Sequence, residues 1–157
     1  MSEDWAKSTY DRFGRAVRHW RDMRGMSAQQ LADRTKELGY PVSRGVIANW
    51  ESGRKGGVDV CELVVIAEAL RVDPPVLLYP AMQDEVDYLP HERVSTDDAL
   101  MLYTGTDEGS TYPLRAWHDW REATARAARY ARHGNAEASS EALLIAEQSR
   151  AQYEAGM

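Results

Sequence analysis

Two helix-start signals separated by a short turn constrain this chain more than any other feature. Ser27 stands three residues before Gln30, the spacing at which a hydroxyl and a side-chain amide cap each other's backbone N–H, and Leu31, Ala32, Thr35 and Leu38 then recur at helical spacing. Gly39, Tyr40 and Pro41 form a turn. Ser43 offers a second N-cap, and Val46, Ile47 and Trp50 fall on one side of a short helix that Gly53 closes.

Neighbouring segments supply the elements that such a pair needs in order to be held. Phe13, Val17, Trp20 and Met23 give residues 9–24 an apolar stripe with Arg12, Arg15, Arg18 and Arg21 between them, and Gly25 ends that helix. Trp50, Trp20 and Phe13 are expected in the core, and Arg12, Arg15 and Arg18 on a solvated face. Asp59 with Glu62 is another capping pair; it opens a helix whose Val60, Leu63, Ile66, Ala67 and Leu70 point inward. Pro74 starts a last short helix before Pro80. The expectation is five helices over residues 9–80.

Beyond residue 80 the pattern changes. Residues 81–112 carry eight Asp or Glu against one Arg and are expected as an acidic linker or bridge, with a short strand at Glu85–Leu89 and a helix at Thr96–Tyr103. Residues 113–157 are expected as a helical hairpin broken at His133, Gly134 and Asn135. Its first helix places Leu114, Trp117, Thr124, Ala127, Ala128 and Ala131 on one stripe, and its second carries Leu143, Leu144 and Ile145. That apolar face is too thin to make a core without a partner surface.

The net charge of -6 argues against a polyanionic partner until it is divided along the chain. Residues 12–55 hold ten Lys or Arg against four Asp or Glu, a balance of +6; residues 81–157 hold seven against fourteen, a balance of -7. Screening over about 8 to 10 Å lets the basic module act locally. The longest apolar runs fall far short of the roughly 20 residues of a membrane span, and the polar start, Met1 to Asp11, lacks a signal-peptide core, so a cytoplasmic protein is expected. Cys61 is alone, and His19, His91, His118 and His133 have no ligand spacing, so neither a metal nor another cofactor is expected.

The segments "VRHWRDMRGMSAQQLA", "SRGVIANWESGR" and "VDVCELVVIAEALRVDPPVLLYP" resemble the Cro/cI-type regulators, the Xre family, and in particular the longer-turned version of actinobacteria and their phages, through "TKELGYPVSR". The resemblance covers residues 12–80. It implies an all-α, lambda-repressor-like helix-turn-helix domain that binds double-stranded DNA as a transcriptional regulator, most often a repressor. By the same carry-over Arg44, Gly45 and Asn49 face base edges. Arg suits guanine and Asn suits adenine, each worth about 1 to 3 kcal/mol of discrimination. Ser27, at a helix N-terminus, faces a phosphate; Ser43 and Ser52, flanking the reading helix, are expected among the DNA-binding residues; Arg54 and Lys55 are expected as backbone clamps. Family members usually carry Gln where this chain has Ala28, so Gln29 or Gln30 is expected to replace that contact. A family ion pair maps onto Arg21 and Glu51.

No H-E-x-x-H, P-loop or G-x-S-x-G motif occurs, and Lys7, Lys36 and Lys55 all precede the C-terminal half, so neither an enzyme nor a Ser–Lys self-cleaving repressor is expected. A homodimer reading two-fold related half-sites is expected, with Trp117, Trp120, Leu143 and Ile145 as its candidate surface. The alternative is an antitoxin or adaptor whose acidic C-terminal half binds a protein partner and whose DNA binding serves autoregulation.

Overall fold

The computed structural model describes residues 2–106 and 113–157, so residues 107–112 of the expected linker lie outside the described residues. The chain divides into two compact units, Met1–Leu100 and Met101–Met157. Among the described residues no helix is long and apolar enough to cross a membrane.

Unit 1 contains α1 (Ser2–Met23), α2 (Ala28–Glu37), α3 (Arg44–Glu51), α4 (Val60–Leu70), α5 (Pro74–Leu78), β1 (Glu85–Leu89) and β2 (Glu92–Ser95). α6 (Thr96–Thr104) starts in unit 1 and runs across the boundary between the units. The local signals act where the spacing puts them. Ser27 Oγ accepts from Gln30 N while Gln30 Oε1 accepts from Ser27 N, and Asp59 forms the same reciprocal cap with Glu62. Gly25, Gly39 and Gly53 all take positive φ at helix ends.

Phe13, Val17, Leu31, Ile47, Trp50, Ile66, Leu70 and Leu77 make one core, with Phe13 edge-on to Trp50 at 5.4 Å between ring centres. Three residues expected inward are exposed instead. Met23 lies in the last turn of α1, past the half-buried Trp20; Leu38 is the C-cap of α2, where the chain leaves the helix; Val60 is the first residue of α4, before that helix reaches the core. Arg12 departs in the other direction. Expected on a solvated face, it is only 3% exposed and donates from Nε to Leu78 O at 2.7 Å.

α1 begins seven residues earlier than its apolar stripe suggests, because its first turns find a partner far along the chain: Trp5 Nε1 donates to Asp87 O at 3.1 Å. The segment expected as a linker is therefore partly built into unit 1. β1 and β2 pair antiparallel with Val86 opposite Val94 and an irregularity between Asp87 and Leu89. Tyr79, Val86 and Ala99 form a small second core beneath them, and Thr96 Oγ1 bonds Gln83 O.

Unit 2 holds α7 (Leu114–Arg132) and α8 (Ala136–Ala155), turned by Gly134 at φ 72° and capped by Asn135 Oδ1 on Ala138 N. The buried seam is Ala123, Ala127, Ala142, Ala146 and Ser149, with Ser139 Oγ donating to Ala127 O. Of the stripe expected on α7, Thr124, Ala128 and Ala131 are exposed; α7 turns Ala123 inward with Ala127. A run of alanines has no large side chain to set which face is buried.

Candidate nucleic-acid interface

Three interactions set how α2, the turn and α3 are presented. Thr35 is fully buried; its Oγ1 donates to Ala32 O at 2.7 Å and accepts from Val42 N at 2.9 Å, so one hydroxyl fixes where the turn leaves α2 and re-enters the core. Arg21 grips Glu51 through Nε at 2.7 Å and Nη2 at 2.9 Å, and its Nη1 donates to Met26 O. The pair joins α1, the entry to α2 and the end of α3. The hydrogen bonds that Arg21 donates to Glu51 raise the pKa of its guanidinium above the ordinary value, against the opposing effect of burial. Third, α1 approaches α3 at Gly14, where a Cβ would stand 2.0 Å from Trp50 O.

With Ile47 and Trp50 buried, α3 turns Arg44, Gly45, Ala48, Asn49 and Ser52 outward. Spacings of three and four residues put Arg44, Ala48 and Ser52, and Gly45 and Asn49, along one exposed face. Ser43 caps this helix on Val46 N. Neither Arg44 nor Arg54 makes a side-chain hydrogen bond or ion pair among the described residues, and both are exposed, which leaves their guanidinium groups available to an anion or a base edge. The Asn49 carbonyl accepts from Arg54 N and Lys55 N, and Ser52 Oγ donates to the same oxygen, so the loop that carries Arg54 is tied to the helix end.

Several sequence-expected residues are engaged within the protein. Gln30 closes the α2 cap, whereas Gln29 is exposed and donates to Asp33 Oδ1 at 2.9 Å. Ala28 packs partly against the core. Lys55, expected as a backbone clamp, places Nζ 2.8 Å from Glu62 Oε1 and 4.7 Å from the centre of the Trp50 ring, which joins the α3–α4 loop to α4. Arg24 likewise caps the end of α4, with Nε on Leu70 O and Nη2 on Arg71 O. Sequence reasoning passed over Ala48, Gly14 and Arg24. Ala48 was visible in the helical spacing from Arg44, and Gly14 as a glycine inside a helix that its neighbours would otherwise favour.

Residues 12–78 match the helix-turn-helix domain family. No curated protein and no solved structure matches the chain. The matched helix-turn-helix domain contains the α2–turn–α3 arrangement and its supports, and it supports a DNA-binding regulator with double-stranded DNA as partner. Its bounds leave out the first turns of α1 and the β1–β2 hairpin that pack together in unit 1.

Proposed function

We propose that this chain is a sequence-specific transcriptional regulator of the Cro/cI type that represses by occupying an operator. α3 is anchored by Ile47, Trp50 and the Arg21–Glu51 pair while Arg44 and Asn49 stand unburied on its other side. A helix so held fits the major groove as a rigid body, and Arg and Asn are the side chains that make two-pronged contacts with guanine and adenine. Gly45 brings no side chain, so the backbone there can come close to the DNA, and the Ala48 methyl suits an apolar contact with thymine. Exposed Ser27 and Gln29 at the start of α2, with Arg54 beyond α3, are assigned to phosphates on either side.

Dimerisation belongs to the same proposal. The α7–α8 seam buries only small side chains, Leu143, Leu144 and Ile145 are 40% to 55% exposed, and Arg126 Nε is buried without an acceptor among the described residues. We assign the surface carrying Leu143 and Ile145, with the half-buried Trp117 and Trp120, to a second copy.

Footprinting on the DNA upstream of its own gene tests the reading. The expected result is one or more protected sites whose half-sites lie about 34 to 36 Å apart, and transcription that falls as they fill. Binding that competitor DNA abolishes at equal mass overturns it. A chain that is monomeric at micromolar concentration and captures a protein encoded beside it favours the antitoxin or adaptor alternative.

A further inference from the structure

Where the helix-turn-helix match meets the rest of unit 1 lies a feature that the DNA reading does not use. The first half of α1 and the segment leading through β1 and β2 border an open cavity of about 690 Å3. Ser8, Arg12 and Arg15, at helical spacings of four and three, form one wall; Asp84, Asp87 and Arg93 stand on the other.

The α1 wall sets two guanidinium groups side by side, neither in an ion pair among the described residues, with Asp87 acting on Arg12 from farther off. Arg12 is 3% exposed, yet no carboxylate lies within 4.0 Å of it among the described residues; its partners are the neutral Leu78 O, Thr9 Oγ1 and the Tyr79 ring. Burying a guanidinium without an anion is costly, and structures keep such groups where something pairs with them. Burial lowers the Arg12 guanidinium below its ordinary value, Tyr79 and Asp87 pull it back, and Arg15 pushes it down again, which registers two cations held close together. The Arg15 side chain makes no hydrogen bond or ion pair among the described residues. Opposite them, Glu85 is taken by Arg93 at 3.0 Å, but the Asp84 carboxylate has no such partner.

We propose that this cavity binds a small phosphate monoester of a sugar or nucleoside, its phosphate on Arg12, Arg15 and Ser8 and its hydroxyl or amino donors on Asp84 and Asp87. The Arg15 fork, the remaining N–H groups of Arg12 and the Ser8 hydroxyl match the three free oxygens of a phosphate monoester better than the two of a carboxylate. The volume lies within the range of about 300 to 1,000 Å3 usual for small-molecule sites and exceeds what inorganic phosphate alone would fill. Acidic residues on the far wall disfavour a ligand that is anionic throughout. Arg15 also lines a second cleft, with Lys7 and Asp11 of α1 and Glu51, Ser52 and Gly53 at the end of α3, so it links the cavity to the reading helix. Only this coupling rests on the proposed DNA function; the site does not.

The full chain, without DNA, is titrated with ribose 5-phosphate, AMP, inorganic phosphate and adenosine at constant ionic strength, by calorimetry and thermal shift. Ribose 5-phosphate or AMP is expected to bind at least tenfold more tightly than inorganic phosphate, with adenosine inert. Arg15→Ala, at an exposed position that leaves the fold intact, is expected to weaken binding at least tenfold. Asp84→Asn is expected to remove the preference for the esters over inorganic phosphate. No shift beyond that of equal chloride, or unchanged binding by Arg15→Ala, overturns the site; so does an inorganic phosphate affinity equal to that of the esters. Ester binding by a chain that binds no DNA upholds the site and overturns the DNA reading, and the converse result does the reverse.

Discussion

Replacing Gly14 with alanine separates the effect of helix propensity from the effect of helix contact, because the two have opposite signs. Inside a helix, alanine is favoured over glycine by about 1 kcal/mol. At this position the added Cβ would lie 2.0 Å from Trp50 O and 2.7 Å from the Trp50 carbonyl carbon. Relief needs α1 and α3 to part by about 1 Å, since both sides of the contact are backbone and no side chain can swing aside. Parting them loosens Phe13 and Trp50, each 1% exposed, and forced insertion of one carbon into such packing costs about 1 to 3 kcal/mol, here at the upper end. The expected net loss is about 2 kcal/mol, or a fall of roughly 10 °C in the unfolding midpoint of a domain of about 100 residues. Thermal and urea unfolding followed by circular dichroism measure it. Gly45→Ala is the control: nothing lies nearer to its added Cβ than Ser43 Oγ at 3.8 Å, so stability is expected to hold or rise by up to about 1 kcal/mol. A Gly14→Ala chain as stable as the parent, or more so, would refute the close approach.

Other perturbations follow from the same contacts. Removing one partner of the Arg21–Glu51 pair, whose side chains are 13% and 12% exposed, is expected to cost about 3 to 5 kcal/mol in urea unfolding, and Arg21→Met with Glu51→Leu to restore most of it. If the single and double variants are equally unstable, the pair is not what locks α1 to α3. Lys55→Met is expected to lower stability and leave the salt dependence of DNA binding unchanged, because Lys55 is bound to Glu62; Arg54→Ala should instead reduce the slope of log K against log salt by about 1. Sedimentation at micromolar concentration is expected to show a dimer, with Leu143→Asp and Ile145→Asp shifting it to monomer; a monomeric parent contradicts the assigned surface.

Sequence legibility follows the range of each interaction. Ser27 with Gln30, Asp59 with Glu62, and Gly25, Gly39 and Gly53 act on backbone groups within a few residues, so they mark helix ends without knowledge of the fold. The early start of α1 was hidden because Trp5 meets Asp87 across 82 residues, and the burial of Arg12 because its acceptor, Leu78 O, lies 66 residues away. Lys55 read as a clamp because only its position after α3 was visible; Glu62, seven residues on, is brought to it by the loop and α4. In unit 2 the alanines of α7 gave a helix without a direction. At the candidate interface, the burial of Ile47 and Trp50 already implied which side of α3 faces outward, whereas the cavity beside Arg12 and Arg15 depends on a hairpin that reads in the sequence as an acidic linker.

The most direct test of the central proposal compares the parent chain with Arg44→Ala on the operator and on unrelated duplex DNA, at two salt concentrations. A loss of about 1 to 3 kcal/mol is expected on the operator, with non-specific affinity and unfolding midpoint preserved. Equal operator affinity for the two proteins would contradict the assignment of α3 as the reading helix.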